Sequence, residues 1–174
     1  CLLSRGLGDV YKRQPSNPIS FGAGRTAKMI TAGEFHYCAI LDNDEIMCWG
    51  DGANGKLATG STADQTTPTA PSGSFGANRY AVYLDAGYHH TCAILDNGRA
   101  TCWGSDANGQ LGNGGATTGD ILSLHNGGLG WNAMAISAGG SHTCMQVDKP
   151  GDNNQHKRIK CWGSRGSGQL GDNS

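Results

Sequence analysis

The chain has 174 residues, 29 of them glycine, and a formal net charge of −1. Hydrophobic residues make up 37% and aromatic residues 7% of the chain, which favours short strands and turns over one large apolar core. A nucleic-acid-binding surface needs a broad basic face, whereas the one basic cluster here spans residues 156–160. No apolar run approaches the length of a membrane span.

The first fourteen residues, CLLSRGLGDVYKRQ, are predicted to lie outside the fold. Ser4 to Gln14 back-translate codon for codon into the adapter and transposon-end DNA of sequencing libraries, which favours an appended segment over a signal peptide or a basic tail. Excluding residues 1–14 removes three basic residues and one acidic residue and moves the net charge to −3. It also removes Cys1, so the six remaining cysteines can form three pairs.

Three segments of the remaining chain repeat one pattern. The segments that start AGEFHYC, AGYHHTC and AGGSHTC share Ala-Gly-x-x-His-x-Cys, a turn, Cys-Trp-Gly and a glycine-rich loop. Cys38 and Cys92 are 54 positions apart, and Cys92 and Cys144 are 52 apart. A period near 50 is typical of a propeller blade rather than a helical repeat of about 33 to 45 residues. The sequence predicts an incomplete β-propeller over 15–174, with repeats near 28–72, 80–126 and 132–174.

In chain order, each repeat is predicted to form short strands, and no segment offers an amphipathic helix. A first strand ends at the Ala-Gly pair, at Ala27–Thr31, Ala81–Asp85 and Ala133–Ser137. The second and third strands form a hairpin, as in HTCAIL and RATCWG. A fourth strand follows the glycine-rich loop, at Thr66–Ala70 and Asp120–Leu124. We expect the last repeat to stop before its fourth strand, so that the chain is an arc of about three blades.

The second hairpin, HTCAILDNGRATCWG, carries a turn that predicts its register. Asp96 and Asn97 suit a type I turn, and Gly98 suits the left-handed position that closes a three-residue loop. This loop places Cys92 opposite Cys102, at a Cα separation of about 4.5 to 5.5 Å that a disulfide accepts. The expected disulfides are Cys92–Cys102, Cys38–Cys48 and, across a turn with seven extra residues, Cys144–Cys161. Three disulfides favour an extracellular, periplasmic or cell-surface location.

Each repeat also carries one histidine before its first cysteine and one tryptophan after its second. These residues are His36, His90, His142, Trp49, Trp103 and Trp162. Repetition favours structural roles, in which the histidine holds the start of the strand to backbone carbonyls and the tryptophan packs between blades. The alternative is zinc, although a structural site needs four ligands and only the repeat with His89 offers them. Trp131, outside the pattern, is the better candidate for a ligand-facing aromatic residue, with packing as its simpler role.

Metal, cofactor and catalytic sites are not expected. The loops DGANGK, SDANGQ and SRGSGQ lack the acidic ligands and the terminal Glu of a calcium loop. GSGQLG is not followed by the Lys-Ser/Thr and helix of a phosphate-binding loop. Catalytic groups are normally singular, whereas the histidines, cysteines and tryptophans recur in every repeat. We therefore expect a protein that is not an enzyme and that has no cofactor.

The blocks HTCAILDNGRATCWGSDANGQLGNG and SHTCMQVD…KCWGSRGSGQLG resemble the repeats of the regulator of chromosome condensation family, from about Lys28 to Asp172. The resemblance implies a β-propeller, usually of seven four-stranded blades. The founding member is a nuclear exchange factor for a small GTPase, and other relatives are photoreceptors, enzyme inhibitors and modules of surface proteins, so the fold does not determine function. The cysteine pairs depart from the founding member and resemble a secreted bacterial branch.

The expected function is a non-catalytic module of an exported or cell-surface protein that binds an unknown protein or glycan. The loops EFHY, YHHT and GSHT differ between repeats while the cores do not, which is how a propeller builds a binding surface. The remaining blades of the same chain are expected as partners, and nucleic acid and membrane insertion are not. Guanine-nucleotide exchange or GTPase regulation is the alternative, by resemblance alone. A hydrolase or lyase using the central channel is less favoured.

Overall fold

The computed structural model describes residues 18–114, 119–125, 132–149, 151 and 157–172. Over these residues the protein is all-β, with eleven strands in three antiparallel sheets. The first sheet contains β1 (Ala27–Ala32), β2 (His36–Leu41), β3 (Ile46–Gly50) and β4 (Gln65–Thr69). The second contains β5 (Ala81–Ala86), β6 (His90–Leu95), β7 (Ala100–Gly104) and β8 (Gly119–His125), and the third contains β9 (Asn132–Ala138), β10 (His142–Asp148) and β11 (Arg158–Gly163). The prediction of an all-β propeller arc is confirmed.

Neighbouring strands in each sheet are consecutive in the chain, so each sheet is a simple meander. β1 and β5 begin at the predicted residues, and each extends one residue further. A single turn of 3-10 helix, Ala53–Gly55, interrupts the first glycine-rich loop. Residues 1–14, Trp131 and His156 lie outside the described residues. No helix among the described residues is both long and apolar enough to span a membrane.

The β6–β7 hairpin adopts the predicted register. Gly98 has a φ of 74°, and its N–H donates to the carbonyl of Leu95 at 2.9 Å. The strands then pair Cys92 with Cys102. In the first hairpin Asp44 takes the left-handed position, with a φ of 68°, because a short polar side chain tolerates this conformation better than most residues do. Both turns therefore reach the same register by different residues.

The hydrophobic cores lie between the sheets. Leu84 of β5 packs with Ile40 and Ile46 of the first sheet, and Ile136 of β9 packs with Ile94 of the second. We call β1, β5 and β9, the first strands of their sheets, the inner strands. β5 and β9 thus complete the cores of the sheets that precede them. Burying one such aliphatic side chain contributes about 1.5 to 3 kcal/mol. Stability accordingly depends on the junctions between neighbouring blades.

Among the described residues, no neighbouring sheet covers the outward faces of the first and third sheets. Ile30 occupies the position of Leu84 and Ile136 in its repeat, yet it is 59% exposed, whereas they are 0% and 3% exposed. Ile159 corresponds to Ile46, and their exposures are 73% and 5%. The same apolar position is therefore buried wherever a neighbouring blade is present and exposed where none is.

Asp85, at the end of β5, ties the three sheets together near their inner strands. Its Oδ1 accepts a hydrogen bond from the Thr31 hydroxyl at 3.3 Å, and its Oδ2 accepts one from the Ala138 N–H at 2.7 Å. Thr31 belongs to the first sheet and Ala138 to the third. One carboxylate thus bridges three consecutive blades, a role that was not predicted from the sequence.

Candidate ligand-binding surface and its supporting junctions

The second and third strands of each sheet are joined by a disulfide. The structure bonds Cys38 to Cys48, Cys92 to Cys102 and Cys144 to Cys161, with Cα separations of 4.1, 4.0 and 4.1 Å. Cysteines that are bonded to each other cannot serve as thiolate ligands. Within the described part of the chain, no group of three or more histidine, cysteine or acidic residues is placed to hold a metal ion. Three disulfides are typical of proteins from an oxidising environment.

A buried chain of hydrogen bonds crosses from the first sheet to the second. His36 Nε2 lies 2.8 Å from Thr91 Oγ1, and the Thr91 hydroxyl donates to the carbonyl of Lys56 at 3.2 Å. Trp103 Nε1 donates to the same carbonyl at 3.0 Å. A hydroxyl has one hydrogen, and that of Thr91 is used in the hydrogen bond to the Lys56 carbonyl. His36 must therefore donate from Nε2 to the Thr91 oxygen. We call this His–Thr–carbonyl–Trp arrangement the junction relay.

The relay recurs between the second and third sheets. His90 Nε2 lies 2.8 Å from Thr143 Oγ1, which donates to the carbonyl of Gln110 at 2.9 Å. Trp162 Nε1 donates to that carbonyl at 2.8 Å. The expected partner of the histidine was a backbone carbonyl, whereas its direct partner is a threonine of the next repeat, which passes the interaction on to a carbonyl. The dipeptide His-Thr at the start of β6 and β10 was the available sequence signal.

The first sheet replaces this threonine. Tyr37 follows His36, and its ring stacks on Trp49 with centroids 5.7 Å apart. Phe21 also packs edge-on against Trp49, with ring centroids 5.8 Å apart. The outward face of the first sheet is therefore aromatic where the other two sheets present a relay hydroxyl.

Burial changes the acid–base behaviour of the relay histidines. The pKa of His36 is lowered to about 4, first by loss of solvation and then by the nearby Lys56 ammonium. The pKa of His90 is also lowered to about 4, by loss of solvation and then by His142 and His89. Both imidazoles are thus neutral at neutral pH, which agrees with a single N–H on each ring that donates across the junction.

An ion pair distinguishes the first junction from the second. The Lys56 side chain is fully buried, and its ammonium binds Asp51 Oδ2. The other repeats have serine and glutamine at these two positions, and Gln169 Nε2 donates to Ser164 Oγ at 3.3 Å. The hydrogen bond from Lys56 is the main cause of the lowered pKa of Asp51. This pair was not predicted from the sequence, although Asp51 and Lys56 depart there from the Ser–Gln pattern of the other repeats.

Exposed aromatic side chains lie on the rim loops, which connect the first and second strands of each sheet. Phe35 is 61% exposed and Tyr88 is 57% exposed. His89 stands next to Tyr88, and its Nε2 is 3.7 Å from Glu34 Oε2. The third rim loop has Gly140 and Ser141 in place of larger residues. We call Glu34, Phe35, Tyr88 and His89 the rim surface.

The rim loops are held in place by a repeated backbone contact. The residue after each Cys-Trp-Gly sequence donates its N–H to the second variable residue of the loop, at 2.8 Å in all three sheets. These bonds run from Asp51 to Phe35, from Ser105 to His89 and from Ser164 to Ser141. Gly50 makes the close approach possible, because a Cβ there would lie 2.4 Å from the Phe35 carbonyl oxygen. The side chains differ, while the backbone that presents them is the same.

A cleft of about 250 Å³ runs along the rim beside this surface. It is lined by the Ala-Gly pair of each repeat and by the residue that follows, namely Ala32, Gly33, Glu34, Ala86, Gly87, Tyr88, Ala138, Gly139 and Gly140. The Tyr88 ring lies against Gly140, where a Cβ would be 3.1 Å from the nearest ring atom. The cleft therefore combines a floor of small residues with one carboxylate and one aromatic ring.

Meandering sheets that share cores through their inner strands define a segment of a β-propeller. The family described as regulator of chromosome condensation (RCC1) repeat matches residues 29–56 and 81–110, and a second description of the same repeat matches 43–94. The chain belongs to this family of repeat propellers.

Similar proteins are diverse. The chain is 32% identical over 152 residues to the Ultraviolet-B receptor UVR8 of Arabidopsis thaliana, and the match covers 84% of this chain and 32% of the receptor. It is 31% identical over 115 residues to the E3 ubiquitin-protein ligase HERC2 of Homo sapiens, and this match covers 64% of this chain and 2% of the ligase. The chain thus spans about a third or less of the length of these two relatives.

Solved structures show the same fold at lower identity. Human WBSCR16 superposes with a TM-score of 0.67 and 18% identity over 83% of this chain and 40% of that one. Prp20p from Saccharomyces cerevisiae superposes with a TM-score of 0.58 and 17% identity over 82% and 33% of the two chains. These likenesses concern the fold alone.

Proposed function

We propose that this chain is part of a non-catalytic module that binds a protein or glycan ligand through its rim surface. The observation that carries the proposal is the exposure of Phe35 and Tyr88 on loops with a fixed backbone. Aromatic side chains on rigid supports provide large contact areas at a low cost in conformational entropy. Most of the residues that recur in every repeat are engaged in junctions, disulfides or aromatic packing, which leaves the variable rim residues to contact a ligand.

The proposed location is outside the cytoplasm, in an exported or cell-surface protein. The support comes from three disulfides, each within one hairpin. Such bonds persist in secreted and surface proteins and are rare where thiols are kept reduced. The remaining blades of the propeller are proposed to come from the same chain, because β5 and β9 each complete the core of the sheet before them.

The proposal is tested by screening the purified chain against a glycan array and a library of extracellular protein domains. Phe35→Ser combined with Tyr88→Ser should abolish every specific signal. Tyr80→Ser is the matched control, because Tyr80 is also exposed (42%) and lies at the opposite end of the same inner strand as Tyr88. A signal that survives the double substitution and is lost in the control would place the ligand at the other end of the blades.

Guanine-nucleotide exchange or GTPase regulation is the second candidate, carried by family likeness. The structure of yeast Prp20p is described together with its binding to Gsp1p and histones. Disulfides argue against a nuclear site of action, and the near-neutral charge argues against a chromatin partner. A fluorescent-nucleotide release assay with a panel of small GTPases separates the two candidates, since a binding module should leave the release rate unchanged.

A further inference from the structure

The rim cleft is built so that three equivalent positions determine its chemistry. Each repeat supplies an Ala-Gly pair and then a residue that differs, namely Glu34, Tyr88 or Gly140. The Ala-Gly pairs give the same small, apolar floor in all three sheets. The ligand preference of the cleft therefore depends on one carboxylate, one phenol ring and the space that Gly140 leaves.

The cleft is electrostatically negative. Glu34 is the one charged side chain among the described residues that line it, and no lysine or arginine is among them. His89 Nε2 is 3.7 Å from the Glu34 carboxylate, beyond hydrogen-bond distance. Asp85, directly before the lining residue Ala86, adds a second carboxylate at the same end of the inner strand. A cationic group from a ligand would therefore meet favourable charge.

The Tyr88 ring provides the second element of the site. The ring lies on Gly140, and a methyl group at that position would come within 3.1 to 3.4 Å of three ring atoms. Tyr88 nevertheless remains 57% exposed, so part of the ring is open to solvent. A cation placed over an aromatic face gains about 0.5 to 1 kcal/mol at exposed sites and more when water is excluded.

The size and polarity of the cleft favour a side chain over a sugar. Pockets for small ligands commonly measure about 300 to 1,000 Å³, and this cleft is smaller. A pyranose needs several polar side chains to satisfy its hydroxyl groups, whereas Glu34 and Tyr88 are the only lining side chains of the described residues that carry a polar group. A guanidinium needs one carboxylate and one flat surface, and both are present.

We propose that the rim cleft captures an arginine side chain of a protein ligand, with the guanidinium held between the Glu34 carboxylate and the Tyr88 ring. Arginine is favoured over lysine because its planar group stacks on an aromatic ring while donating to a carboxylate. The inference rests on the proposed function and narrows it to a protein ligand. Phe35, exposed beside the cleft, would contact the residues that flank the arginine.

The test is an NMR titration of the isotopically labelled full chain with acetyl-Gly-Arg-Gly-amide and with its citrulline analogue, which lacks the charge. The arginine peptide should give saturable shifts at the amides of Glu34, Tyr88 and Gly140. The citrulline peptide should bind about tenfold more weakly. Glu34→Gln should lower the affinity for the arginine peptide by about the same factor. Glu45→Gln is the matched control, because Glu45 lines a different cleft at the opposite end of the blades.

Tyr88→Leu supplies a second arm, since leucine keeps an apolar side chain over Gly140 and removes the ring. This substitution should lower the affinity for the arginine peptide about threefold, while the midpoint of thermal unfolding stays unchanged. Equal binding of the two peptides, or an unchanged affinity in Glu34→Gln, would overturn the arginine site. If a glycan binds in a Phe35- and Tyr88-dependent manner while arginine does not, the inference fails and the proposed function stands. If neither a glycan nor a protein binds, both fail.

Discussion

His36 and Thr91 are 55 positions apart in the chain, and their side chains meet at 2.8 Å in the buried junction between the first and second sheets. The contact joins the start of one hairpin to the start of the next. Because the Thr91 hydroxyl also donates a hydrogen bond to the Lys56 carbonyl, the pair couples two blades and the glycine-rich loop between them. The junction relay is thus both a structural link and a site of defined protonation.

Removing the relay hydroxyl should weaken the junction. Thr91→Val keeps the shape of the side chain but leaves His36 Nε2 buried without a partner, which should lower the free energy of unfolding by about 1 to 3 kcal/mol. Thr91→Ser retains the hydroxyl and should recover most of this loss. Urea unfolding followed by tryptophan fluorescence measures both, with Thr66→Val on the exposed strand β4 as control. Equal stability of the Val and Ser variants would show that the hydroxyl is not used.

Acid should destabilise the fold before the carboxylates titrate. His36 and His90 have pKa values lowered to about 4, whereas an unfolded histidine titrates near 6.5. Between these values the unfolded chain binds more protons than the folded chain, so stability is full above pH 6.5 and falls as the pH drops towards 4. Over this pH range each histidine should lower the free energy of unfolding by up to roughly 3 kcal/mol.

The urea midpoint measured at half-unit steps from pH 7.5 to 4 tests this dependence on the relay histidines. His36→Gln keeps an N–H donor for Thr91 and removes one titrating group, so it should reduce the fall by about half. At still lower pH a further loss is expected, because the pKa of Asp51 is held down by Lys56 and protonation breaks their ion pair. A flat midpoint between pH 6.5 and 4 would show that the histidines are not neutral and buried.

The Asp51–Lys56 pair should behave as a unit. Asp51→Ser leaves the ammonium of fully buried Lys56 without its partner and should cost roughly 2 to 4 kcal/mol, somewhat below the usual range because Asp51 is 32% exposed. The double change Asp51→Ser with Lys56→Gln restores the pair found in the other repeats and should lie within about 1 kcal/mol of the original protein.

A double-mutant cycle by chemical denaturation measures this coupling between Asp51 and Lys56. The exposed pair Lys28–Asp44, with side chains 46% and 42% exposed, is the matched control. Its removal should change the free energy of unfolding by less than about 1 kcal/mol. Additive effects at Asp51 and Lys56 would contradict the ion pair.

The six repeat cysteines should resist alkylation in the unreduced protein, both folded and in urea. Peptide mapping after iodoacetamide treatment should find label at none of them, and reduction should expose all six. Each hairpin disulfide closes a short loop, so its reduction should lower stability by about 3 kcal/mol. Label at Cys92 and Cys102 in the unreduced protein would instead show that their thiols are free. That result would favour a reducing compartment and support the zinc hypothesis.

Strand positions and hairpin register could be predicted because their causes are local. The Asp-Asn-Gly turn determines which residues of β6 and β7 face each other, and the cysteines follow from that register. The relay, the Asp85 bridge and the cleft could not be predicted, because they join residues about 53 to 55 positions apart on different sheets. Spacing along one repeat says which residues are equivalent, but not which of them touch across a junction.

Leu84 belongs to the second sheet by hydrogen bonding, yet its side chain completes the core of the first. A cut in the connection between β4 and β5 would therefore separate a core from the residue that seals it. The same core also takes Ala93 and Leu95 from β6 and Trp103 from β7, so it is built from two adjacent sheets. Shuffling or grafting of repeats should therefore move adjacent blades together, because any boundary between the first and second sheets divides this core.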